Sequence, residues 1–281
     1  MQLIETHTAI SLEKPIRLQE YAVGVFHTIP TKSGIKKALK KNLICVDGNI
    51  ATTALYIKGG ETIELFQLAN TTAIQRLKLA LEVLYEDEYL AVIFKPAGIL
   101  VSGNAFVTIA NALSQNLQKS NQVDAVRAQP VHRLDYATSG VLLVGKTSTA
   151  ITSLSKLFEE KNIKKTYVAI CIGKMPSFGN LETSIGEKAA ATTYEVLKST
   201  SSTRFEFLNL VKLTPTTGRK HQLRIHLSEI GHQILGDKDY GNKELVLKGN
   251  GLYLHAKTIE FKHPFTQDLL TVSKELPKKF T

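Results

Sequence analysis

Near the middle of the chain the sequence reads Val131-His132-Arg133-Leu134-Asp135-Tyr136-Ala137-Thr138-Ser139-Gly140 and continues directly into Val141-Leu142-Leu143-Val144. The apolar run predicts a buried strand, and the polar residues before it predict a short loop that ends at Gly140. A carboxylate on a loop that a strand holds in place can be aimed at a substrate. Asp135 is therefore a candidate site residue. Considered alone, the loop is explained equally well by a surface ion pair between Asp135 and Arg133, or by a turn.

The same region contains a nucleotide-binding pattern that does not predict a nucleotide site. The sequence GVLLVGKT at 140–147 fits the pattern GxxxxGK[ST]. In a phosphate-binding loop the strand comes first, and the residues between the two glycines form an open turn around the phosphates. Here those residues are the predicted strand itself, so we expect no ATP or GTP site.

The charge of the chain predicts a polyanionic partner. The 281 residues include 35 Lys and Arg against 25 Asp and Glu, which gives a formal net charge of +10 at pH 7. A chain this basic favours nucleic acid as a partner and an anionic membrane surface second; a basic surface that only serves solubility is the open alternative. The length is sufficient for one large domain or for two unequal ones.

The cysteines and the apolar segments indicate the cellular setting. Cys45 and Cys171 lie far apart and outside any CxxC or Cys/His cluster, which argues against a structural zinc and against disulfides. We therefore expect a reducing, cytoplasmic location. The N-terminal residues contain no basic segment followed by an apolar core, and no stretch approaches the roughly 18 uninterrupted apolar residues of a membrane span.

Residues 13–66 predict a small separate unit. Their pattern predicts helices over 17–25 and 33–41, the second with Ser33 as N-cap, and strands over 43–46 and 62–65. The second helix contains four lysines, which form either an anion-binding face or a solvated one: Lys36, Lys37, Lys40 and Lys41. A polar stretch at 70–72 marks a boundary, and a linker helix is expected after it.

From residue 83 onward the pattern is rich in strands. We predict strands over 83–85, 90–94, 165–170, 193–198, 204–213 and 252–261, with helices over 108–117 and 149–160. A basic helix is predicted over 217–231, with Leu223, Leu227 and Ile230 as its apolar stripe. Cations crowd its first turns, where they oppose the helix dipole, so a phosphate or Asp135 would stabilise them there. Those cations are Arg219, Lys220, His221 and Arg224.

Four motifs in this order resemble the RluA-type pseudouridine synthases, which isomerise uridines in RNA. The motifs are KPAG at 95–98, HRLDYATSG at 132–140, KTYVA at 165–169 and GRKHQLRIH at 218–226. The N-terminal segment resembles the small RNA-binding domain of the ribosomal protein S-four type. The resemblance implies an α+β fold with a mixed, largely antiparallel central sheet and a catalytic cleft, preceded by a small α/β module. It divides the chain into 1–70, a linker over 71–82 and a catalytic domain over 83–281.

The resemblance also implies a role for particular residues. Asp135 would be the catalytic carboxylate and would attack either the uracil ring or the anomeric carbon of the ribose. Tyr167 would pack against the base and help to remove the proton from carbon 5, and Arg224 would pair with Asp135. Arg133 would fill the gap that the flipped-out nucleotide leaves. The other expected substrate-binding residues are His132, Lys95, Arg219, His221 and Gln222.

Isomerisation consumes no cofactor, and the sequence offers no convincing site for a nucleotide cofactor or a metal. We expect RNA as the partner, with ribosomal RNA preferred over transfer RNA, and a monomer as the default state. The alternative function is a non-catalytic RNA-binding or ribosome-assembly factor on the same scaffold. It explains the charge equally well, but it does not explain why Asp135, Tyr167 and Arg224 occur together.

Overall fold

The computed structural model describes residues 1–67, 77–246, 249 and 251–280. Residue contacts divide the chain into two compact units, Met1–Gln75 and Arg76–Thr281. No helix in the described part of the chain is long and apolar enough to cross a membrane. Residues 71–76 of the expected linker helix lie outside the described residues, and 77–82 contain no helix.

The first unit is a small four-stranded sheet, in the order β1-β6-β3-β4, with two helices and one additional strand pair, β2 with β5. Its core consists of buried aliphatic side chains and Phe26. Its elements are β1 (Gln2–Thr8), β2 (Ile16–Arg17), α1 (Leu18–Tyr21), α2 (Lys32–Lys40), β3 (Ile44–Val46), β4 (Asn49–Ile50), β5 (Tyr56–Ile57) and β6 (Thr62–Gln67).

Three details of this unit differ from the sequence prediction. Helix α1 is much shorter than the expected 17–25, because the chain turns at Gly24, which has a φ of +77°. The N-cap of α2 is Thr31 rather than Ser33, since the Thr31 hydroxyl accepts a hydrogen bond of 3.1 Å from the Gly34 N–H. Strand β1, which pairs with β6, lies before the first element that the sequence predicted.

The second unit contains the large sheet and the remaining helices. Short 3₁₀ turns occur at Lys243–Leu245 and Lys278–Phe280. Its other elements are β7 (Val83–Glu86), β8 (Leu90–Lys95), α3 (Ile109–Asn116), β9 (Ala125–Pro130), β10 (Ser139–Thr147), α4 (Ser148–Glu159), β11 (Lys164–Ile172), β12 (Phe178–Leu181), β13 (Thr192–Ser202), β14 (Glu206–Pro215), α5 (Gln222–Glu229), β15 (Leu254–Lys262) and β16 (Leu269–Ser273).

The sheet of this unit is mixed and largely antiparallel, so the expected fold class is confirmed. Its main path through the described residues is β12-β13-β14-β11-β15-β10-β8-β7, with β16 paired to β15 and β9 paired to β10. Among these pairs only β10 and β15 run parallel, and they do so over two residue positions. The predicted helices over 108–117 and 149–160 are confirmed to within one residue at each end.

Strand β10 pairs with β15, β8 and β9 and positions the loop before it. All nine of its residues are buried. The segment that fits the nucleotide-binding pattern is therefore the buried strand that the apolar run predicted. It begins where the chain passes very close to β15: a Cβ atom at Gly140 would lie 2.2 Å from the Ala256 carbonyl oxygen, and the φ of Gly140 is +133°. Only glycine meets both conditions, and the Asp135 loop is thereby fixed at the crossing of two strands.

We expect Gly140→Ala to destabilise the protein by about 3 kcal/mol, because the added methyl group meets the β15 backbone and an unfavourable φ at once. Gly103→Ala is the matched control, since Gly103 has nearly the same φ, +138°, but no atom within 4 Å of a Cβ. Urea unfolding followed by circular dichroism measures both. Equal losses in the two variants would show that close approach of the strands is not the constraint.

Candidate active site

A cleft of about 550 Å³ lies in the second unit, where three segments meet. One is the loop between β9 and β10, which contains Asp135. The second is the start of β11, which contains Tyr167. The third is the loop at 215–221 together with the first turn of α5. The structure therefore brings Asp135, Tyr167 and Arg224 to the same cleft, although they lie far apart in the sequence.

Backbone hydrogen bonds and one lysine hold the Asp135 loop in place. The Lys95 ammonium group donates to the carbonyl oxygens of Pro96, Tyr136 and Thr138, at 2.9, 3.3 and 2.6 Å. The Gly98 N–H donates to the Tyr136 carbonyl at 2.8 Å. Burial lowers the pKa of Lys95 to about 8, although the nearby charge of Asp135 acts in the opposite direction. These hydrogen bonds connect the Asp135 loop to the end of β8 and to the residues that follow it.

His132 anchors the same loop to β10. Its Nε2 accepts a hydrogen bond of 3.0 Å from the Leu143 N–H, and its ring lies 4.8 Å from the ring of Phe158. Burial, together with the nearby charge of Lys165, lowers the pKa of His132 to about 3. The imidazole is therefore neutral at physiological pH and acts as a hydrogen-bond acceptor.

Tyr167 lies on β11 with its side chain partly buried in the cleft. Burial raises the pKa of its phenol well above the ordinary value, and the charge of Asp135 raises it further. Its hydroxyl group has no hydrogen-bond partner among the described residues. A hydroxyl group that lines a cleft and has no protein partner is available to a ligand.

His221 is the basic side chain that lies beside Asp135. Its Nε2 lies 3.7 Å from Oδ1 of Asp135, and its Nδ1 is 2.8 Å from the hydroxyl oxygen of Tyr240. His221 has a φ of +57° and immediately precedes α5. This left-handed turn directs the imidazole into the cleft and makes α5 shorter than the predicted 217–231.

The cleft has a strong excess of positive charge. Of the side chains that line it, only Asp135 and Glu159 are acidic. The lysines and arginines that line it are Arg133, Lys161, Lys165, Arg219, Lys220 and Arg224. Among the described residues no group of three His, Cys, Asp or Glu side chains is arranged to hold a metal ion. A basic cleft with one inward carboxylate suits a substrate with a phosphate backbone and a neutral reacting group.

Comparison with known proteins identifies this arrangement. The model of the family described as RNA pseudouridylate synthase matches residues 89–229, about half of the chain, which include Asp135, Tyr167 and Arg224. The chain belongs to the RNA pseudouridylate synthase family. The resemblance of its four motifs to pseudouridine synthases is thereby confirmed.

Individual relatives of this pseudouridine synthase agree with the family match. The ribosomal large subunit pseudouridine synthase D of Nitrosomonas europaea is 33% identical over 88% of this chain and 77% of the relative. The ribosomal large subunit pseudouridine synthase C of Rickettsia felis is 32% identical over 99% of this chain and 98% of the relative. The solved structure of human RNA pseudouridylate synthase domain containing 4 is 27% identical, with a TM-score of 0.59 over 71% of this chain and 90% of that chain.

The prediction that Arg224 pairs with Asp135 is wrong, because the Arg224 guanidinium binds other carboxylates of the synthase. The Arg224 guanidinium donates to both carboxylate oxygens of Asp237, at 2.7 and 2.6 Å, and to Asp239 at 2.7 Å. Burial lowers the pKa of Arg224, but these hydrogen bonds outweigh it and leave the pKa above the ordinary value. A carboxylate that accepts two hydrogen bonds satisfies a buried guanidinium better than a more distant carboxylate does, and Asp237 is itself buried. Asp237 and Asp239, rather than Asp135 or a phosphate, thus stabilise the cation at the start of α5.

Two of the expected substrate-binding residues are also structural. Lys95 is completely buried, and its ammonium group is occupied by the three backbone carbonyls. Gln222 is buried, and its amide nitrogen donates to the Ala191 carbonyl at 2.9 Å while its amide oxygen accepts from the Arg219 N–H at 3.0 Å. Both expectations arose because these residues belong to motifs that line the cleft, and Gln222 itself lines it while its amide group is occupied by the protein.

The remaining expected residues line the cleft, and two cations there were missed. Arg133 and Arg219 are exposed at its edge, with His221 partly buried beside them. The missed cations are Lys161 and Lys165, whereas Lys220 was predicted among the cations of the basic helix but not as a site residue. Lys165 could have been found, because residues two apart on a strand share a face and Lys165 stands two positions before Tyr167.

We expect Asp237→Asn to destabilise the protein by about 3 kcal/mol, because it removes the buried partner of a guanidinium that stays charged. Asp239→Asn is the matched control. Its side chain is 65% exposed, so its loss should cost less than about 1 kcal/mol. Urea unfolding at neutral pH measures both, and a larger loss for Asp239→Asn would contradict the assignment of Asp237 as the principal partner.

The low pKa of His132 predicts an acid-dependent loss of stability. The unfolded chain takes up a proton near pH 6.5, whereas the folded protein does so only near pH 3, so stability falls as the pH drops through this window. Between pH 7 and pH 5 the wild type should lose about 1–2 kcal/mol more than His132→Gln, whose side-chain carbonyl can still accept the Leu143 N–H.

Urea unfolding at several pH values measures this difference, and His27→Gln, which removes an exposed histidine, is the control. The pH dependence of the control should match that of the wild type. Parallel curves for the wild type and His132→Gln would mean that His132 is not held neutral by the fold.

Proposed function

We propose that this protein converts uridine to pseudouridine in RNA of the large ribosomal subunit, with Asp135 as its catalytic carboxylate. The observation that carries the proposal is the arrangement of Asp135 and Tyr167 in one cleft lined by basic side chains. The names of the two bacterial relatives support ribosomal RNA as the substrate, ahead of transfer RNA.

The reaction changes bonds only within the target nucleotide. The bond from the anomeric carbon to N1 of uracil breaks, a bond from the anomeric carbon to carbon 5 forms, carbon 5 loses its proton and N1 gains one. No electrons are exchanged with another molecule, so Asp135 needs only to form and release a covalent bond. It attacks either the uracil ring or the anomeric carbon, and both routes return it as a free carboxylate.

Tyr167 is the proposed contact for the base and the group that handles the proton of carbon 5. While Asp135 is ionised, burial and that negative charge keep the Tyr167 pKa high, and the phenol stays protonated. Once Asp135 has formed a bond to the substrate its charge is lost, and one of the two causes of the high pKa disappears. Bond formation by Asp135 therefore makes the phenolate form of Tyr167, which can accept the proton of carbon 5, less unfavourable, while burial still opposes it.

Arg224 supports Asp135 indirectly in this proposal. Its guanidinium lies 4.9 Å from the centre of the Tyr240 ring, and the Tyr240 hydroxyl binds His221, which faces Asp135. Arg224 thus fixes the side chains that border the carboxylate. Among the described residues, His221 is the basic side chain that lies within 4 Å of the Asp135 carboxylate.

The exposed basic residues are proposed to hold the RNA. Arg133 lies two positions before Asp135 and is exposed at the cleft, where it can replace the nucleotide that leaves the helix. In the first unit Lys36, Lys37 and Lys40 are exposed on α2 and support an RNA-binding role of the ribosomal protein S-four type. A cytoplasmic location and a monomeric state also stay predictions.

We expect Asp135→Asn to abolish pseudouridine formation while RNA binding changes by less than about threefold, because affinity comes mainly from contacts of Lys and Arg with phosphate. The assay uses large-subunit ribosomal RNA transcribed in vitro, maps pseudouridine by carbodiimide modification and measures binding by filter retention.

The matched control is Glu159→Gln, which neutralises the other carboxylate that lines the cleft and should retain activity. Equal labelling by wild type and Asp135→Asn would remove Asp135 from its role. Absence of pseudouridine with the wild type, together with tight binding, would favour the non-catalytic alternative.

A further inference from the structure

Lys165 is a charged group in the cleft to which the mechanism above gives no role. It lies on β11 two residues before Tyr167, so the two side chains project from the same face of the strand, with Cα atoms about 7 Å apart. The pairing of β11 with β15 shifts by one residue between them, but the extra residue lies on β15 and leaves the alternation of β11 intact. Both line the cleft. The neighbouring Lys164 projects to the other side, where it forms an ion pair of 3.6 Å with Glu260.

The surroundings of Lys165 do not satisfy its charge. The side chain is partly buried, yet its ammonium group makes no hydrogen bond or ion pair with any described residue. Its nearest compensating neighbour is the ring of Phe158, whose centre lies 5.9 Å from Nζ. Burial accordingly lowers the pKa of Lys165. A partly desolvated cation with only a ring beside it is destabilising unless an anion binds there.

The space next to the ammonium group is open on the side of the cleft. Gly218 faces Lys165, and even a Cβ atom at that position would be 3.8 Å from Nζ. The absence of a side chain at Gly218 leaves room for a ligand beside Nζ. Asp135, the carboxylate of the same cleft, lies more than 4 Å from Nζ, since no ion pair joins them.

We propose that Lys165 binds the backbone phosphate of the target uridine while the base of that nucleotide packs against Tyr167. This inference rests on the proposed function, because it assumes that a uridine enters the cleft. Lys165 and Tyr167 then hold the two ends of one nucleotide from a single strand face, and Asp135 approaches the ribose or the base between them. Lys165 is a binding residue whose contact is present before the reaction begins.

The test uses Lys165→Met in the Asp135→Asn protein, so that binding is measured without turnover. With large-subunit ribosomal RNA transcribed in vitro, we expect affinity to fall on the order of tenfold, the loss of one charged hydrogen bond. The slope of log affinity against log salt concentration should decrease by about 1, as for the loss of one phosphate contact. Lys164→Met in the same background is the matched control and should leave the affinity close to that of the parent.

Thermal unfolding separates binding from a structural role. Because Lys165→Met removes an unsatisfied, partly buried charge, the melting temperature should stay equal or rise. In the protein with Asp135 intact, Lys165→Met should raise KM with a much smaller change in kcat.

A lower melting temperature, an unchanged salt slope, or a loss confined to kcat would overturn the proposal. Wild-type protein that makes no pseudouridine, combined with the expected loss of affinity in Lys165→Met, would overturn the proposed function and leave the phosphate contact of Lys165 supported.

Discussion

The active site depends on an ammonium group buried beneath the Asp135 loop. Lys95 donates hydrogen bonds to the carbonyl oxygens of Pro96, Tyr136 and Thr138, which belong to two separate segments of the chain. Removing this charge from water is costly, and three carbonyl dipoles together with the nearby charge of Asp135 compensate for it. Because two carbonyls that closely follow Asp135 converge with that of Pro96 on one nitrogen, the Asp135 loop has a fixed position before any substrate arrives.

The basic side chains of this region fall into two groups. Lys95 and Arg224 are buried and already satisfied, the first by carbonyls and the second by Asp237 and Asp239. Arg133, Arg219 and the lysines that line the cleft are exposed or only partly buried and remain available to phosphate. The motif residues thus serve two purposes. The buried members build a rigid support, and the exposed members give the cleft its positive potential.

The sequence predicted the elements with strong apolar patterns, namely α3, α4 and the strands β7, β8, β10, β11, β13, β14 and β15. Among the strands that it missed are β1, β9, β12 and β16, whose residues are mostly exposed or only partly buried, so that no apolar pattern marks them in the sequence. Asp135, Tyr167 and Arg224 were expected in one cleft, and the structure places them there. The partner of Arg224 was predicted wrongly because hydrogen-bond partners are decided by three-dimensional packing. Asp237 reaches the guanidinium only because the turn after Ile234 folds back onto α5.

The charges in the cleft change with depth in a way that suits a nucleotide. At its edge, exposed arginines and lysines attract the phosphate backbone. Deeper in the cleft, burial keeps two side chains neutral. It lowers the pKa of His132 and raises the pKa of Tyr167. The charged groups beside them are the carboxylate of Asp135 and the partly buried ammonium group of Lys165. A phosphate is therefore attracted to the basic side chains, Lys165 included, and repelled by Asp135, whereas a neutral uracil can approach Asp135 and Tyr167 without an electrostatic penalty. The same gradient favours a nucleotide whose base has left the stack and whose backbone stays outside.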